Sequence, residues 1–296
     1  MAVSLRWVVF VSDLSRLVGY PFEVYYSDGS LVRARAAADL AASAYSYLSG
    51  LFSAIEPDIA IVVADEGDWE SRQPYGMPYF NADQGQIRPG IVTMPAGSGK
   101  FWIAIGGDIR EASARGYARL LAAYPNGTGG LDLQPFFDLV TIHELGHAFQ
   151  VLGDLRLPAY WIGEIFANLT LHAFVATRQP DSLDTLETLS KVGAGSRRLS
   201  TRMRAEGYCT LEDFEAHYAG GDDPMSPLNY IWYQYRFQRL AAKMFEADGE
   251  DGLVRIWNCF HGFDCFSSGK VTASTLAPLL RAEVSETLGR AVKNWL

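Results

Sequence analysis

The residues best suited to chemistry are two histidines four positions apart, His143 and His147, with Glu144 directly after the first. On an α-helix, side chains at this spacing lie on one face, so both imidazoles can reach the same ion. Glu144 lies about 100° further round the helix and faces the open side of that ion. The spacing predicts a zinc site of the HExxH type, with two histidine ligands and a glutamate as general base.

A catalytic zinc ion has three protein ligands and keeps a fourth position for water, whose pKa it lowers to about 7. A carboxylate beside that water can take up its proton. Two histidines and a glutamate on one apolar-backed helix would also be costly to bury without a shared partner. Both arguments favour a metal site over a chance arrangement.

Two carboxylates follow the predicted metal helix and are candidates for the third ligand. Asp154 stands just beyond the expected end of the helix, where it fits a solvated loop as well as a metal site. Glu164 lies in Trp161–Asn168, an otherwise apolar helical stretch, where a carboxylate is expensive to bury alone. Asn168 and His172 follow Glu164 at successive intervals of four, so the three residues form a polar stripe along one face of a hydrophobic helix,. Glu164 is the favoured ligand, and Asp154 remains the alternative.

With these residues in place, the chain resembles the gluzincins, the thermolysin-like zinc peptidases in which a glutamate on the next helix completes HExxH. The resemblance covers His143, Glu144, His147 and Glu164, and it implies peptide hydrolysis at a zinc ion. The metzincin branch is excluded, because Gln150 and Gly153 stand where that pattern requires Gly and His,.

The resemblance also implies roles for three residues further along the chain. Asn168 stands where gluzincins often place a residue that orients the first histidine. A tyrosine that opens a later helix commonly supports the oxyanion in that group; Tyr230 matches best and Tyr233 is the alternative. Packing of these tyrosines in a helical core would explain them equally well. Tyr75-Gly-Met-Pro78 lacks the glutamate of the aminopeptidase loop, so aminopeptidase activity is not implied.

The order of the predicted elements indicates an α+β protein with two lobes. Residues 1–155 form a mixed strand and helix lobe that carries the HExxH helix, and 156–296 form a mainly α-helical lobe with the third zinc ligand. A zinc cleft is expected between the lobes. Strands are predicted at 6–11, 22–26, 58–63, 91–94 and 100–105, and helices at 36–55, 108–123, from Pro158 onward, 182–192, after Thr210 and at 228–247,.

Composition limits the partners that the chain can have. A net charge of −9 and a pI near 5.1 argue against a nucleic-acid surface, and no basic stripe is present,. No apolar run reaches the roughly 20 residues of a membrane span. Asp13 and Arg16 interrupt the apolar N-terminal run before a signal peptide could form, which leaves a cytoplasmic protein or a trimmed secreted form. The redox state of a Cys259–Cys265 pair stays open.

Two functions therefore follow from the sequence. The first is a zinc metallopeptidase acting on a peptide or protein substrate, with Glu144 as general base. The alternative is a catalytically inactive gluzincin-fold binding protein. The retention of Glu144 favours the enzyme, because a site that only binds metal has no need of that carboxylate.

Overall fold

The computed structural model describes residues 11, 13–53, 55–69, 73–82, 89–218, 225–261 and 271–295. Within these ranges there are twelve α-helices and one five-stranded mixed sheet. The chain is therefore α+β, as predicted, and most of its described elements are helices. Of the predicted strand at 6–11, only Val11 lies among the described residues. Cys265 lies outside them, and so the Cys259–Cys265 pairing does too.

The described chain divides into two compact units. The first contains the residues up to Ala104 together with Asp132–Asp154, and the second contains Ile105–Leu131 together with the residues from Leu155 onward. The segment Ile105–Leu131 thus belongs with the second unit, whereas the sequence placed it in the N-terminal lobe. The zinc cleft between two lobes stays a prediction.

The sheet in the first unit has the order β1-β2-β3-β5-β4. Its strands are β1 (Ser15–Leu17), β2 (Glu23–Tyr26), β3 (Ile59–Ala64), β4 (Tyr79–Asn81) and β5 (Gly90–Pro95). β2, β3 and β5 are parallel, and the edge strands β1 and β4 pair antiparallel. Both β3 and β5 are buried along their whole length, which explains why their sequences are nearly continuous apolar runs,.

The helices are α1 (Leu31–Leu51), α2 (Lys100–Ala112), α3 (Ala114–Ala123), α4 (Gln134–Leu152), α5 (Tyr160–Arg178), α6 (Leu183–Ala194), α7 (Arg197–Ala205), α8 (Leu211–Tyr218), α9 (Pro227–Asp248), α10 (Glu250–Phe260), α11 (Ala273–Leu279) and α12 (Glu286–Lys293). A 3₁₀ turn at Pro180–Ser182 precedes α6, and a π-helical turn at Leu280–Val284 follows α11. No helix among the described residues is both long and apolar enough to cross a membrane.

The prediction of a strand over Lys100–Ile105 is wrong, because these residues begin α2. Trp102, Ile105 and Ile109 are buried, and their spacing of three and four is that of a helix face,. Ile103, which a strand would place on the same face as Ile105, is 76% exposed,. The helix predicted at 108–123 is interrupted at Ser113, whose hydroxyl accepts from the backbone of Gly116 and caps α3,.

In the second unit, α5 is buried on nearly all sides and packs most extensively against α9. The helix predicted after Thr210 is α8, and a capping box begins it, since Asp213 accepts from the Thr210 backbone and Thr210 Oγ1 accepts from the Asp213 backbone,. Gly193 of α6 lies directly beneath the ring of Tyr235 on α9, where a Cβ atom would stand 2.1 Å from the ring. These contacts fix the positions of the helices around α5.

Candidate metal centre

The helix α4, which carries the two histidines, is anchored in the first unit by aromatic packing. Phe149 is fully buried and lies 5.4 Å from the Tyr45 ring and 5.9 Å from the Phe52 ring, centroid to centroid. One end of the same helix places Phe137 parallel to Trp102, with 5.0 Å between ring centroids and 6° between planes. Such contacts stabilise beyond the area they bury, and they fix both ends of α4.

A charged pair adds to this anchoring. Arg33 of α1 donates from Nη2 to Asp138 of α4 and from Nε to the carbonyl of Pro95, the latter at 3.4 Å. Burial raises the pKa of the Asp138 carboxyl, and the nearby Arg33 opposes that rise,. The pair joins α1, β5 and α4, so the metal helix is held by both apolar and polar contacts.

His143 and His147 direct the same ring nitrogen toward each other. Their Nε2 atoms are 3.1 Å apart, and the rings cross at 80° with centroids separated by 4.7 Å. Two nitrogens bound to one tetrahedral zinc at 2.0–2.1 Å would be about 3.3 Å apart. The two imidazoles therefore already have the separation that a shared ion requires.

Gln150 fixes the orientation of the second histidine. Its Oε1 lies 3.3 Å from Nδ1 of His147, so a proton on Nδ1 can be donated to it. That tautomer leaves the lone pair on Nε2, which is the nitrogen that faces His143. The sequence did not single out Gln150 for this role, although its position three residues after His147 on a helix is a usable signal.

Glu164 completes the group. It lies on α5, is 1% exposed, and its carboxylate oxygen, His143 and His147 offer ligand atoms that all lie within 4.8 Å of one another. The three residues can hold a metal ion. Among the described residues Asp154 is not in this group; it is exposed and has a φ of +56° in the turn after α4.

An amide holds the carboxylate of Glu164. Gln234 of α9 donates its Nε2 proton to Glu164 Oε2 at 2.6 Å, and Asn168 Nδ2 donates to Gln234 Oε1 at 2.8 Å. Asn168 Nδ2 also donates to the Glu164 backbone carbonyl at 2.8 Å. Asn168 thus supports Glu164 through Gln234. The orientation of His143 by Asn168, which the resemblance implied, stays a prediction.

The polar stripe continues one turn further along both helices. Gln238 Nε2 of α9 lies 3.3 Å from His172 Nδ1 of α5, and Phe245 packs against the His172 ring at a centroid distance of 5.4 Å. Burial lowers the pKa of His172, which favours the neutral ring in this setting. Two glutamines spaced by four on α9 therefore face the stripe that begins at Glu164.

The two candidate tyrosines have different surroundings. Tyr233 is fully buried, and its hydroxyl donates to the carbonyl of Thr210 at 2.8 Å. Burial raises its pKa well above the usual value. Its single donor proton is committed to the backbone, so Tyr233 behaves as a core residue here. Tyr230 lies in the first turn of α9, is partly exposed, and stands one turn before Gln234.

Comparison with known proteins finds no matching family model, no matching curated protein and no matching solved structure. The function of the site is therefore inferred from the chemistry of its own side chains.

Proposed function

We propose that this chain is a zinc-dependent metallopeptidase of the gluzincin type. One observation carries the proposal: the Nε2 atoms of two histidines one helical turn apart meet at 3.1 Å, and a buried carboxylate lies within 4.8 Å of them. A bound cation would stabilise two imidazole nitrogens and a carboxylate that converge in a largely buried setting. The HExxH spacing adds the acid-base residue that hydrolysis needs.

The donor set suits zinc better than Mg²⁺ or Ca²⁺. Two imidazoles and one carboxylate form the ligand set of several zinc hydrolases, whereas Mg²⁺ and Ca²⁺ prefer sites made of oxygen alone. A zinc ion held by His143, His147 and Glu164 would polarise the scissile carbonyl and lower the pKa of a water molecule beside it.

The chain's own residues perform the remaining tasks. Glu144 takes a proton from the attacking water and passes it to the amine that leaves when the peptide bond breaks. Tyr230 donates its phenolic proton to the developing oxyanion, and Tyr233 is set aside because its proton already goes to Thr210,. Gln150 holds the tautomer of His147, and Gln234 aims the Glu164 carboxylate,.

The alternative is a binding protein that has this fold and cleaves nothing. Such a protein would have the same metal ligands as the enzyme, but Glu144 would have no catalytic role in it. Glu144 is 8% exposed and directly follows His143, which is the position that a general base occupies in the HExxH arrangement,. This argument favours the peptidase.

The Glu144→Gln variant tests the proposal. The exchange keeps size and hydrogen bonding but removes the base, so we expect unchanged zinc content and at least a 10²-fold loss in cleavage of casein or a mixed peptide library, the lower end for a positioned general base (about 10²–10⁴). Cleavage products are quantified by mass spectrometry. Equal cleavage by both proteins would assign the activity to a contaminant and favour the binding protein.

A further inference from the structure

Three tyrosine rings form a continuous row in the second unit. Tyr160, the first residue of α5, lies 5.1 Å from Tyr218, the last residue of α8, and Tyr218 lies 6.1 Å from Tyr230 on α9, centroid to centroid. The interplanar angles are 40° and 30°. Tyr160 is 51% exposed, and the other two rings are partly exposed. We call this set the tyrosine row.

Two members of the tyrosine row lie one helical turn before the hydrogen-bonded pair Glu164 and Gln234. Tyr160 stands four residues before Glu164 on α5, and Tyr230 stands four residues before Gln234 on α9. Residues four apart on a helix lie on one face, so Tyr160 shares a face of α5 with Glu164 and Tyr230 shares a face of α9 with Gln234. The Gln234–Glu164 hydrogen bond of 2.6 Å joins those two faces.

Two other residues of α8 hold the tyrosine row in place. Glu215 of α8 accepts from the backbone N–H of Tyr160 at 2.8 Å, which ties the start of α5 to α8. Burial raises the pKa of Glu215, and the backbone donors of Tyr160 and Trp161 act against that rise. Tyr218 stacks on the buried Phe214 ring with 4.9 Å between centroids. The positions of the rings are therefore set by the fold around them, while ring surface stays exposed to solvent.

We propose that the tyrosine row is a subsite that binds an aromatic side chain of the peptide substrate, next to the bond that is cleaved. The inference rests on the proposed peptidase function and names its substrate class. Aromatic pairs in tilted or offset arrangements gain about 0.5–1.5 kcal/mol beyond the burial of apolar area. An aliphatic side chain of the same size gains only the burial term. A row of tilted rings therefore selects aromatic residues over large aliphatic ones.

The test compares short capped peptides that differ at one position, which holds phenylalanine, cyclohexylalanine or alanine. Cyclohexylalanine matches the size of phenylalanine but has no aromatic ring. Binding is measured by calorimetry on the zinc-loaded Glu144→Gln protein, in which cleavage of the peptides is expected to be at least about 10²-fold slower. The same protein additionally carries Tyr160→Ala or, as a matched control, Tyr117→Ala. Tyr117 is a partly exposed tyrosine on α3 whose ring lies 5.6 Å from the Arg110 guanidinium.

We expect the phenylalanine peptide to bind about 2- to 12-fold more tightly than the cyclohexylalanine peptide. This ratio of dissociation constants corresponds to the free energy of about 0.5–1.5 kcal/mol that an aromatic pair gains beyond burial. The ratio should persist in the Tyr117→Ala protein and fall toward one in the Tyr160→Ala protein, which loses the most exposed ring of the row,. An unchanged ratio in the Tyr160→Ala protein, no preference in the parent, or no measurable binding of any peptide overturns the subsite.

Failure of the peptidase function has a separate signature, which is equal cleavage by wild type and Glu144→Gln. The binding ratios decide the subsite in either case, because they do not depend on turnover.

Discussion

At the residue scale, the Glu164 carboxylate is held by an amide that lies 70 positions away in the chain, on Gln234. The meeting of His143 and His147 could be predicted because their spacing places both on one face of a helix. Glu164 could be predicted to join them because it interrupts an apolar helix. Gln234 could not, since its role depends on the packing of α9 against α5, which no local pattern encodes.

The role of Gln234 predicts a selective loss of metal affinity. Gln234→Met keeps the side-chain length but removes the donor to Glu164, so we expect zinc affinity to fall by about 10-fold or more, within the 10–100-fold typical of such partners. Gln238→Met is the matched control, because Gln238 lies one turn further on α9 and contacts His172 instead of a ligand. Competition with a chromophoric chelator measures both affinities. An equal loss in the two variants would reduce Gln234 to a packing role.

At the scale of elements, the buried strands β3 and β5 and the helices α5 and α9 were predictable because each has one dominant signal, either an apolar run or a helical period. The start of α2 was not. Lys100–Ile105 is too short to separate the two periods, and burial of Ile109 further along is what establishes the helix. Tertiary packing therefore determines that these residues form a helix, although their alternating pattern predicts a strand.

The close approach of α6 and α9 gives a stability prediction at this scale. In Gly193→Ala the new Cβ would stand 2.1 Å from Cδ2 of the buried Tyr235 ring, so we expect a loss of about 1–3 kcal/mol in the free energy of unfolding.

Gly107→Ala is the control for this variant, because Gly107 lies in α2 and the added Cβ would meet nothing within 4 Å apart from the local helix backbone. A helical glycine in open space gains about 0.5–1 kcal/mol from the same change. Urea denaturation gives both values. Two changes of the same sign would contradict the packing described for Tyr235.

At the scale of the whole molecule, the order of the predicted elements was enough to predict an α+β chain. It was not enough to place Ile105–Leu131 with the second unit. That grouping depends on contacts such as the hydrogen bond from the Arg198 guanidinium to the Glu111 carbonyl, which join residues 87 positions apart. Contacts over such distances in the chain leave no periodic trace in the sequence.

The central claim is that His143, His147 and Glu164 bind one zinc ion. The most direct measurement is the zinc content of the protein after chelation, reconstitution with excess zinc and dialysis, determined by elemental mass spectrometry. We expect about one equivalent in wild type and in Asp154→Asn, and a severe loss in His143→Ala, His147→Ala and Glu164→Gln, because each of the last three removes one of three protein ligands. A wild-type protein that retains no transition metal, or a Glu164→Gln protein that keeps its zinc while Asp154→Asn loses it, would contradict the account.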